Sequence, residues 1–314
     1  MTQKHVLITG GFGFLGRAVA KVYRHAGWKV TGIGRGRWDA GQANAHGFDA
    51  WLDASVSLSS LMTLDDTFDV IVHCAGNGSV AYSVEHPLQD FEKTVQGTAE
   101  LLDYMRLTKS TAVLVYPSSA GVYGAKPDAP IAEHEAPNPI SPYGYSKRMA
   151  EQLIECYARS YGIKAAVVRF FSIYGPGLTK QLLWDASGKL LDHANGVATF
   201  WGTGEETRDW IGGADAATLI MIAAQAAEQR QFLIVNGASG ERVTVRALVQ
   251  LLHAELGGGS EIVFNGQVRE GDPRFYHADM GVAHALGWRP ATTLAQGLRE
   301  YVQWLKAYRE KQVD

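Results

Sequence analysis

The sequence predicts an α/β protein, with a doubly wound parallel sheet in its first part and a smaller mixed α/β domain in its second. Short apolar runs alternate with longer segments of helical spacing over the first half of the chain. The length of 314 residues corresponds to roughly two domains. Glycine is frequent, at 35 residues, and its clusters between the apolar runs have no period, which excludes a collagen-like or low-complexity chain.

Five short runs predict strands that are buried on both faces, because each is almost wholly apolar. They are residues 6–9, 30–33, 70–74, 112–116 and 165–170. The segments between them place apolar residues at helical spacing, for example Leu101, Leu102 and Met105. Helices between such strands form βαβ units, so residues 1–175 are predicted to be a Rossmann-type domain.

The pattern changes after Gly175-Pro176-Gly177. Residues 178–213 mix glycine, tryptophan and polar residues without a clean period. We expect residues 176–314 to form a substrate-binding domain, with one or two strands returning to the first sheet. Within it the sequence predicts helices over residues 214–227, 244–256 and 294–309, and a strand over residues 232–235.

Composition excludes several classes of protein. The net charge of −3 predicts no nucleic-acid partner and no attraction to acidic lipid. Cys74 and Cys156 are the two cysteines and neither is in a CxxC pair, so a disulfide framework and a cysteine-based zinc site are excluded, and we predict no metal site. No run of 18 apolar residues and no signal-peptide core occurs, so we expect no membrane insertion and a cytoplasmic location.

A glycine motif, Thr9-Gly10-Gly11-Phe12-Gly13-Phe14-Leu15-Gly16, follows the first strand and opens the first helix. Glycines at this spacing allow a tight turn, close approach of a pyrophosphate to the backbone, and close packing of helix on strand. The N-terminus of the helix then offers N–H groups and a positive dipole end to the phosphates. The motif predicts a dinucleotide site.

The end of the second strand bears on which dinucleotide binds. A site selective for NAD places Asp or Glu there, whereas this chain has Gly34, followed by Arg35 and Arg37. A guanidinium binds a 2′-phosphate that a carboxylate would repel, so we expect NAD(P), with NADP preferred over NAD. Asp53, after a third strand candidate, is a candidate partner for the adenine amino group.

Tyr143 and Lys147 form a Y-x-x-x-K pair, whose side chains share one face of a helix. Because the chain has 13 tyrosines, about 0.5 such pairs arise by chance, so the motif gains its value from its context. It opens the helix after a strand that leads into Ser118 and Ser119, at the carboxyl edge where open α/β sheets bind ligands. We expect the Lys147 cation, together with an oxidised nicotinamide, to lower the pKa of Tyr143, which could then take a proton from a substrate hydroxyl.

Seven stretches together resemble the extended short-chain dehydrogenase/reductases, and within them the enzymes that act on nucleotide sugars. They are TGGFGFLG, VIVHCAG, SSAGVYG, SPYGYSK, RFFSIYGPG, GTGEETRDWI, and REGDPRFYHAD followed by LGWRP. The resemblance implies catalytic roles for Ser119, Tyr143 and Lys147. The expected cofactor contacts are Gly10, Gly13, Phe14, Leu15, Gly16, Arg35, Asp53, Ala75, Gly76, Ser118, Tyr143 and Lys147. The expected substrate contacts are Ser119, Tyr143, Ser172, Arg208, Arg269 and Asp272, with the two arginines on the diphosphate.

Departures from the family pattern bear on the reaction. The usual asparagine before the Tyr-Gly-Pro segment is Ser172, which weakens or replaces a contact near the substrate phosphates. Sugar-nucleotide dehydratases carry Asp-Glu directly after the catalytic serine or threonine, whereas Ala120 and Gly121 stand there and cannot transfer protons. Dehydration is therefore not expected.

The sequence leaves three functions open. The resemblance implies a nucleotide-sugar 4-epimerase, in which hydride leaves C4 and returns to it through a 4-keto intermediate. The alternative is a nucleotide-sugar 4-ketoreductase that consumes NADPH, motivated by Gly34, Arg35 and Arg37. A non-catalytic NAD(P)-binding regulator is a remote third, since fold alone does not imply function.

The sequence also predicts a homodimer, in which two helices from each subunit form a four-helix interface. Helices around residues 88–106 and 143–161 resemble the dimer-forming pair of the family, and each carries more apolar positions than one buried stripe needs. These positions are Phe91, Val95, Leu101, Leu102, Tyr104 and Met105 on the first, and Met149, Leu153, Ile154, Tyr157 and Tyr161 on the second.

Overall fold

A computed structural model describes residues 3–39, 41–267 and 273–313 of the protein. The strands in this part of the chain are β1 His5–Thr9, β2 Lys29–Gly34, β3 Ala50–Asp53, β4 Val70–His73, β5 Val113–Ser119, β6 Ala165–Phe170, β7 Ser172–Tyr174, β8 Val197–Phe200, β9 Thr207–Arg208, β10 Trp210–Gly212, β11 Phe232–Gly237, β12 Val243–Thr244 and β13 Glu261–Phe264. The α-helices are α1 Phe14–His25, α2 Gln42–Ala45, α3 Leu58–Leu61, α4 Val80–Glu85, α5 Pro87–Phe91, α6 Gly97–Leu107, α7 Pro142–Tyr161, α8 Gln181–Asp192, α9 Gly213–Glu228, α10 Val245–Leu256, α11 Gly281–Ala285 and α12 Leu294–Val313.

Seven of these strands form one parallel sheet in the order β11-β6-β5-β4-β1-β2-β3. The predicted doubly wound α/β fold is thereby confirmed. The chain builds one half of the sheet outward from β1 and the other outward from β4. Strand order therefore reverses between these two neighbours, and ligands of such folds bind in the crevice outside the carboxyl ends at this point.

The sheet separates two apolar cores. Val6 and Ile8 of β1 belong to the core on one face, and Leu7 between them belongs to the core on the other, because successive side chains of a strand point to opposite faces. Helix α9 covers the first core, and α6 and α7 cover the second. Burial on both faces explains why these strands read as continuous apolar runs.

Strand β5 continues beyond its predicted end at residue 116. Its register with β4 stops at Val115, while its register with β6 runs on to Ser119. Pro117 therefore lies where one side of the strand has no ladder, and its missing N–H is tolerated there. This extension carries Ser118 and Ser119 to the carboxyl edge of the sheet.

The later part of the chain contributes to two bodies of structure. Helix α9 packs on α1, and β11 pairs with β6, so residues 213–237 belong to the layers of the central sheet. A third apolar core lies among α8, α10, α12 and β8. Three two-stranded sheets, β7 with β10, β9 with β12 and β8 with β13, complete this region. No helix among the described residues is long and apolar enough to cross a membrane.

The apolar face from which a dimer was predicted is mostly covered within the chain. The segment 88–106 is divided into α5, a π-helical turn over Glu92–Gln96, and α6. Five of its six singled-out residues are buried, namely Val95, Leu101, Leu102, Tyr104 and Met105, whereas Phe91 is 42% exposed. On α7, Ile154 is buried and Tyr161 is exposed. The expectation of a wide free apolar face on the first helix is therefore wrong, because the sheet, α3 and α7 already cover it.

Candidate functional site

The glycine-rich turn between β1 and α1 leaves no room for a side chain at Gly10 or Gly16. Gly10 has a φ of +66°, and a Cβ there would lie 2.6 Å from the backbone nitrogen of Ala75. A Cβ on Gly16 would lie 2.6 Å from the carbonyl oxygen of Gly10, which also accepts a hydrogen bond from the N–H of Gly13. Only glycine fits these positions, so the backbone is left bare at the crevice.

The start of α1 is suited to a phosphate. The first N–H groups of a helix have no partner within it, and Gly13 at the N-cap has no side chain to accept from them. A cavity of about 230 Å³ lies at this turn. Its lining includes the expected cofactor residues Gly10, Gly13, Phe14, Leu15, Gly16, Gly76, Ser118, Tyr143 and Lys147. The residues present therefore fit a dinucleotide, with its diphosphate at the N-terminus of α1.

Arg35 and Asp53 lie farther along the carboxyl edge, beyond the lining of this cavity. Arg35 is exposed just after β2, as is Arg37. Asp53 is the last residue of β3 and is in register with Gly34 of β2, and its carboxylate accepts a hydrogen bond of 3.0 Å from the N–H of Gly36. The end of β2 carries no acidic residue of its own, but the Asp53 carboxylate of β3 lies beside it. The sequence predicts only an adenine contact for Asp53.

Tyr143 and Lys147 project from the first turns of α7, which begins with Ser141 as its N-cap and Pro142 in its first turn. The Lys147 ammonium donates a hydrogen bond of 3.0 Å to the carbonyl oxygen of Pro117 and lies 4.7 Å from the centre of the Tyr116 ring. Tyr145, two residues after Tyr143, is 55% exposed. The i, i+4 spacing therefore directs the phenol and the ammonium to the same face, as predicted.

The titration behaviour of this pair differs from the expectation. Burial raises the pKa of Tyr143, and the carboxylate of Asp90 acts in the same direction, while a hydrogen bond with Ser119 opposes them. The expected lowering of that pKa by Lys147 is not found in the protein alone. Burial lowers the pKa of Lys147 itself to about 8, because the low-dielectric interior disfavours its charged form.

Ser118 and Ser119 have different partners. The hydroxyl of Ser118 donates a hydrogen bond of 2.6 Å to the Glu151 carboxylate, which pairs with Arg169 at 2.8 Å. The hydroxyl of Ser119 accepts from the N–H of Gly121 at 3.1 Å and lies beside Tyr143. Ser119 is therefore the serine that faces the Tyr143 phenol, and Ser118 is held by the Glu151–Arg169 ion pair.

A second cavity of about 540 Å³ adjoins the first. Ser172 and Arg208, two of the expected substrate contacts, line it together with Ser119 and Tyr143. The Arg208 guanidinium donates to the carbonyl oxygen of Thr207 at 2.8 Å. The other two expected substrate contacts, Arg269 and Asp272, lie outside the described residues.

Sequence reasoning missed several residues of the site. Glu151 continues the series that Tyr143 and Lys147 begin, at i+8, so the spacing alone could have indicated it. Ser83 of α4 accepts a hydrogen bond of 3.0 Å from the N–H of Tyr143, and no local sequence signal marks this contact across 60 residues. Tyr276 lines the larger cavity and donates to the carbonyl oxygen of Ala120 at 3.0 Å.

Known proteins match nearly the whole chain. A putative UDP-glucose 4-epimerase of Methanocaldococcus jannaschii is 28% identical over 308 residues, which cover 96% of this chain and 98% of the relative. UDP-glucuronate 4-epimerase 6 of Arabidopsis thaliana is 26% identical, over 96% of this chain and 72% of the relative. The crystal structure of a UDP-glucose 4-epimerase from Stenotrophomonas maltophila, with bound NAD and formylated UDP-arabinopyranose, superposes with a TM-score of 0.88 at 25% identity, covering 98% of this chain and 100% of that chain.

These likenesses confirm the resemblance drawn from the seven sequence stretches. The model of one enzyme family matches residues 6–236, which include the glycine turn, Tyr143, Lys147 and Arg208. The chain therefore belongs to the NAD dependent epimerase/dehydratase family.

Proposed function

We propose that the protein is a nucleotide-sugar 4-epimerase. The observation that carries this proposal is that Ser119 and Tyr143 line both cavities, together with Phe170 and Phe171. The smaller cavity lies where the diphosphate of a dinucleotide would meet the N-terminus of α1, and the larger has the size and the arginine that a sugar diphosphate needs. An acid/base group at the junction can act on a sugar carbon that faces the cofactor.

The roles of the residues follow from this placement. The nicotinamide, when bound, supplies the acceptor and donor of hydride. Tyr143 takes the proton of the sugar 4-hydroxyl and returns it after the 4-keto sugar has presented its other face. The hydroxyl of Ser119 bonds the same oxygen. The Lys147 cation, together with the oxidised nicotinamide when it is bound, would favour the phenolate form of Tyr143 against the effect of burial. Ala120 and Gly121 offer no proton-transferring side chain, so water is not eliminated.

We also propose that the protein binds NADP in preference to NAD. Arg35 and Arg37, exposed after β2, favour the 2′-phosphate of NADP. Asp53 opposes a phosphate at this edge, since its carboxylate stands beside Gly34 and Gly36. The preference for NADP thus rests on the two arginines.

Cofactor release and substrate turnover test the function. The purified protein is denatured and the released dinucleotide identified, and the native protein is then offered UDP-galactose, followed by other UDP-, GDP- and dTDP-sugars. An epimerase interconverts the sugar pair with no added cofactor, as chromatography of the products measures. Failure to epimerise any of them, with stoichiometric oxidation of added NADPH by a 4-keto sugar, would establish the ketoreductase instead.

Four exposed apolar or aromatic side chains on two neighbouring helices bear on the assembly of the protein. Leu88, Phe91, Tyr145 and Tyr161 are exposed on α5 and α7, which favours burial of these helices against a second copy. We propose a homodimer of this kind in the cytoplasm. We also propose a division at residue 175, in which residues 176–314 return the segment 213–237 to the central sheet and contribute Arg208 and Tyr276 to the nucleotide-sugar site.

A further inference from the structure

The chain between β7 and α8 crosses the mouth of the cofactor cavity. Gly177 accepts a hydrogen bond of 3.3 Å from the Arg17 guanidinium of α1, and Gln181 donates one of 3.3 Å to the carbonyl oxygen of Gly78 after β4. Residues 175–181, here the crossing segment, are thus fastened on both sides of the crevice between β1 and β4. Lys180 and Gln181 line the cavity along with Gly13.

Lys180 places an ammonium in this cavity without a protein anion. Its Nζ lies 3.4 Å from the position that a Cβ of Gly78 would occupy, so it faces bare backbone. Among the described residues, no carboxylate pairs with it and no hydrogen bond holds its Nζ, and desolvation alone lowers its pKa. Partial removal of a cation from water costs free energy that an anionic ligand would offset.

The backbone at the start of α8 is strained, and this conformation orients the side chains of Lys180 and Gln181. Gln181 has a φ of +68°, in the left-handed region that non-glycine residues rarely adopt. Such conformations persist where the surroundings impose them, commonly at ligand sites. Here the strain begins α8 abruptly and leaves Lys180 and Gln181 directed at Gly78.

We propose that Lys180 binds the diphosphate of the dinucleotide, opposite the N-terminus of α1. The glycine turn supplies N–H groups but no side-chain cation, and the Lys147 ammonium is held by Pro117 deeper in the cavity. The crossing segment therefore contributes the positive side chain of the phosphate site from outside the first βαβ unit, which no motif in that unit predicts.

The test measures the rate of cofactor release from the holoenzyme. Lys180→Met keeps the length of the side chain and removes its charge, and Lys180→Arg keeps the charge. Lys189→Met is the matched control, since Lys189 lies on α8, the helix that directly follows Lys180, and donates to the carbonyl oxygen of Thr199 outside both cavities. Bound dinucleotide should leave the Lys180→Met protein about tenfold faster or more, the usual effect of losing a charge-assisted hydrogen bond. Added salt should reduce the difference in release rate between the Lys180→Met protein and the parent. Lys180→Arg should restore slow release.

Two outcomes would overturn the assignment. One is release from Lys180→Met at the rate of the parent and of Lys189→Met. The other is faster release that neither salt nor Lys180→Arg affects, which would indicate lost packing of the crossing segment instead of a lost charge. Because the readout is cofactor release, it does not depend on which sugar reaction the protein catalyses.

A different observation bears on the sugar. One wall of the larger cavity, which Ser119 and Tyr143 also line, comes from α4 and contributes the exposed side chains Val80, Val84 and Glu85. Of the described residues that line this cavity, Arg208 is the one cation. The α4 wall thus offers an anionic sugar two aliphatic side chains and a like charge.

Resting on the proposed function, we infer that the sugar carries no carboxylate and that Glu85 disfavours uronic acids. A carboxylate facing α4 would lose hydration against the valines and meet the negative charge of Glu85. The Arg208 guanidinium cannot compensate if it holds the diphosphate.

The test compares kcat/KM for UDP-galactose and UDP-glucuronate. The parent should favour UDP-galactose. Glu85→Gln should raise the ratio of kcat/KM for UDP-glucuronate to kcat/KM for UDP-galactose about fivefold, the effect of one like charge near a protein surface. Glu92→Gln makes the same change of charge outside the cavity and should leave the ratio unaltered. Equal use of both substrates by the parent would refute the inference and leave the epimerase proposal intact, whereas inactivity on every sugar nucleotide would refute the proposed function itself.

Discussion

Glu151 offers the sharpest test of how the site is supported. Its carboxylate is 1% exposed and receives the Ser118 hydroxyl at 2.6 Å, two guanidinium hydrogen bonds from Arg169 at 2.8 and 3.0 Å, and a contact of 3.3 Å from Arg148. Replacing Glu151 by Ala removes the carboxylate from all of these hydrogen bonds at once. It leaves the Arg169 guanidinium, itself 2% exposed, as an unpaired buried charge.

The size of the effect follows from the burial. At 2.8 Å the attraction between the two charges is about 6 kcal/mol for an effective dielectric constant of about 20. Water recovers part of this in the unfolded chain, so breaking one side of a buried pair costs about 3–5 kcal/mol. We therefore expect Glu151→Ala to lower the free energy of unfolding by about 4 kcal/mol.

Urea unfolding followed by tryptophan fluorescence measures this loss. Glu155→Ala is the matched control on the same helix, because Glu155 pairs with Arg159 in solvent, with the Arg159 side chain 74% exposed. It should cost less than about 1 kcal/mol. The double variant Glu151→Met, Arg169→Met should recover much of the loss, since it leaves no unpaired charge. A loss in Glu151→Ala no larger than that in the control would refute the reasoning.

Four further expectations concern the chemistry and the assembly. Tyr143→Phe should lower kcat by about 10²-fold or more while Tyr145→Phe stays near the parent, and activity of Tyr143→Phe close to the parent would remove the assignment. Because the pKa of Lys147 is lowered to about 8 and its charged form is the useful one, kcat should fall as pH rises through about 8, and Lys147→Arg, though slower, should lack that fall; a rate still rising in alkaline buffer contradicts this. Arg35→Ala should weaken NADP binding about tenfold and leave NAD nearly unchanged in a calorimetric titration, whereas equal effects would exclude a 2′-phosphate contact. Sedimentation should report about twice the chain mass of 34.1 kDa, and a monomer at micromolar concentration would rule out the dimer.

The sheet and its ends could be predicted because their signals are local. A strand buried on both faces must be apolar at every position, and the five predicted runs all lie in the central sheet. The glycines of the β1–α1 turn and the Tyr143–Lys147 spacing are equally local, since each reflects the geometry of a single turn or helix. The sequence therefore predicts that these parts of the site lie together.

What the sequence did not indicate depends on contacts between distant segments. Helix propensity cannot show that Leu101 and Met105 are already covered by the fold, so the sequence pattern predicts a partner chain for an apolar face that the structure buries within the chain. The direction of the Tyr143 pKa depends on burial, which a motif does not contain. Lys180 and Gly78 are 102 positions apart and meet only because the crossing segment returns over the crevice.

Helix α7 connects the reacting end of the site to the buried ion pair that supports it. Tyr143, Lys147 and Glu151 follow one another at intervals of four, so one face of the helix passes from the cavity junction to the ion pair behind β5. The reacting end is fixed from behind, through Glu151 and Arg169, and at its first turn through Ser83. The residues that we propose to hold the diphosphate and to select the sugar, Lys180 and Glu85, lie on other elements that pack around this face. Because Glu85 lies on α4 and contributes nothing to the Tyr143–Lys147–Glu151 face, the choice of sugar can change at this position without altering the acid/base pair.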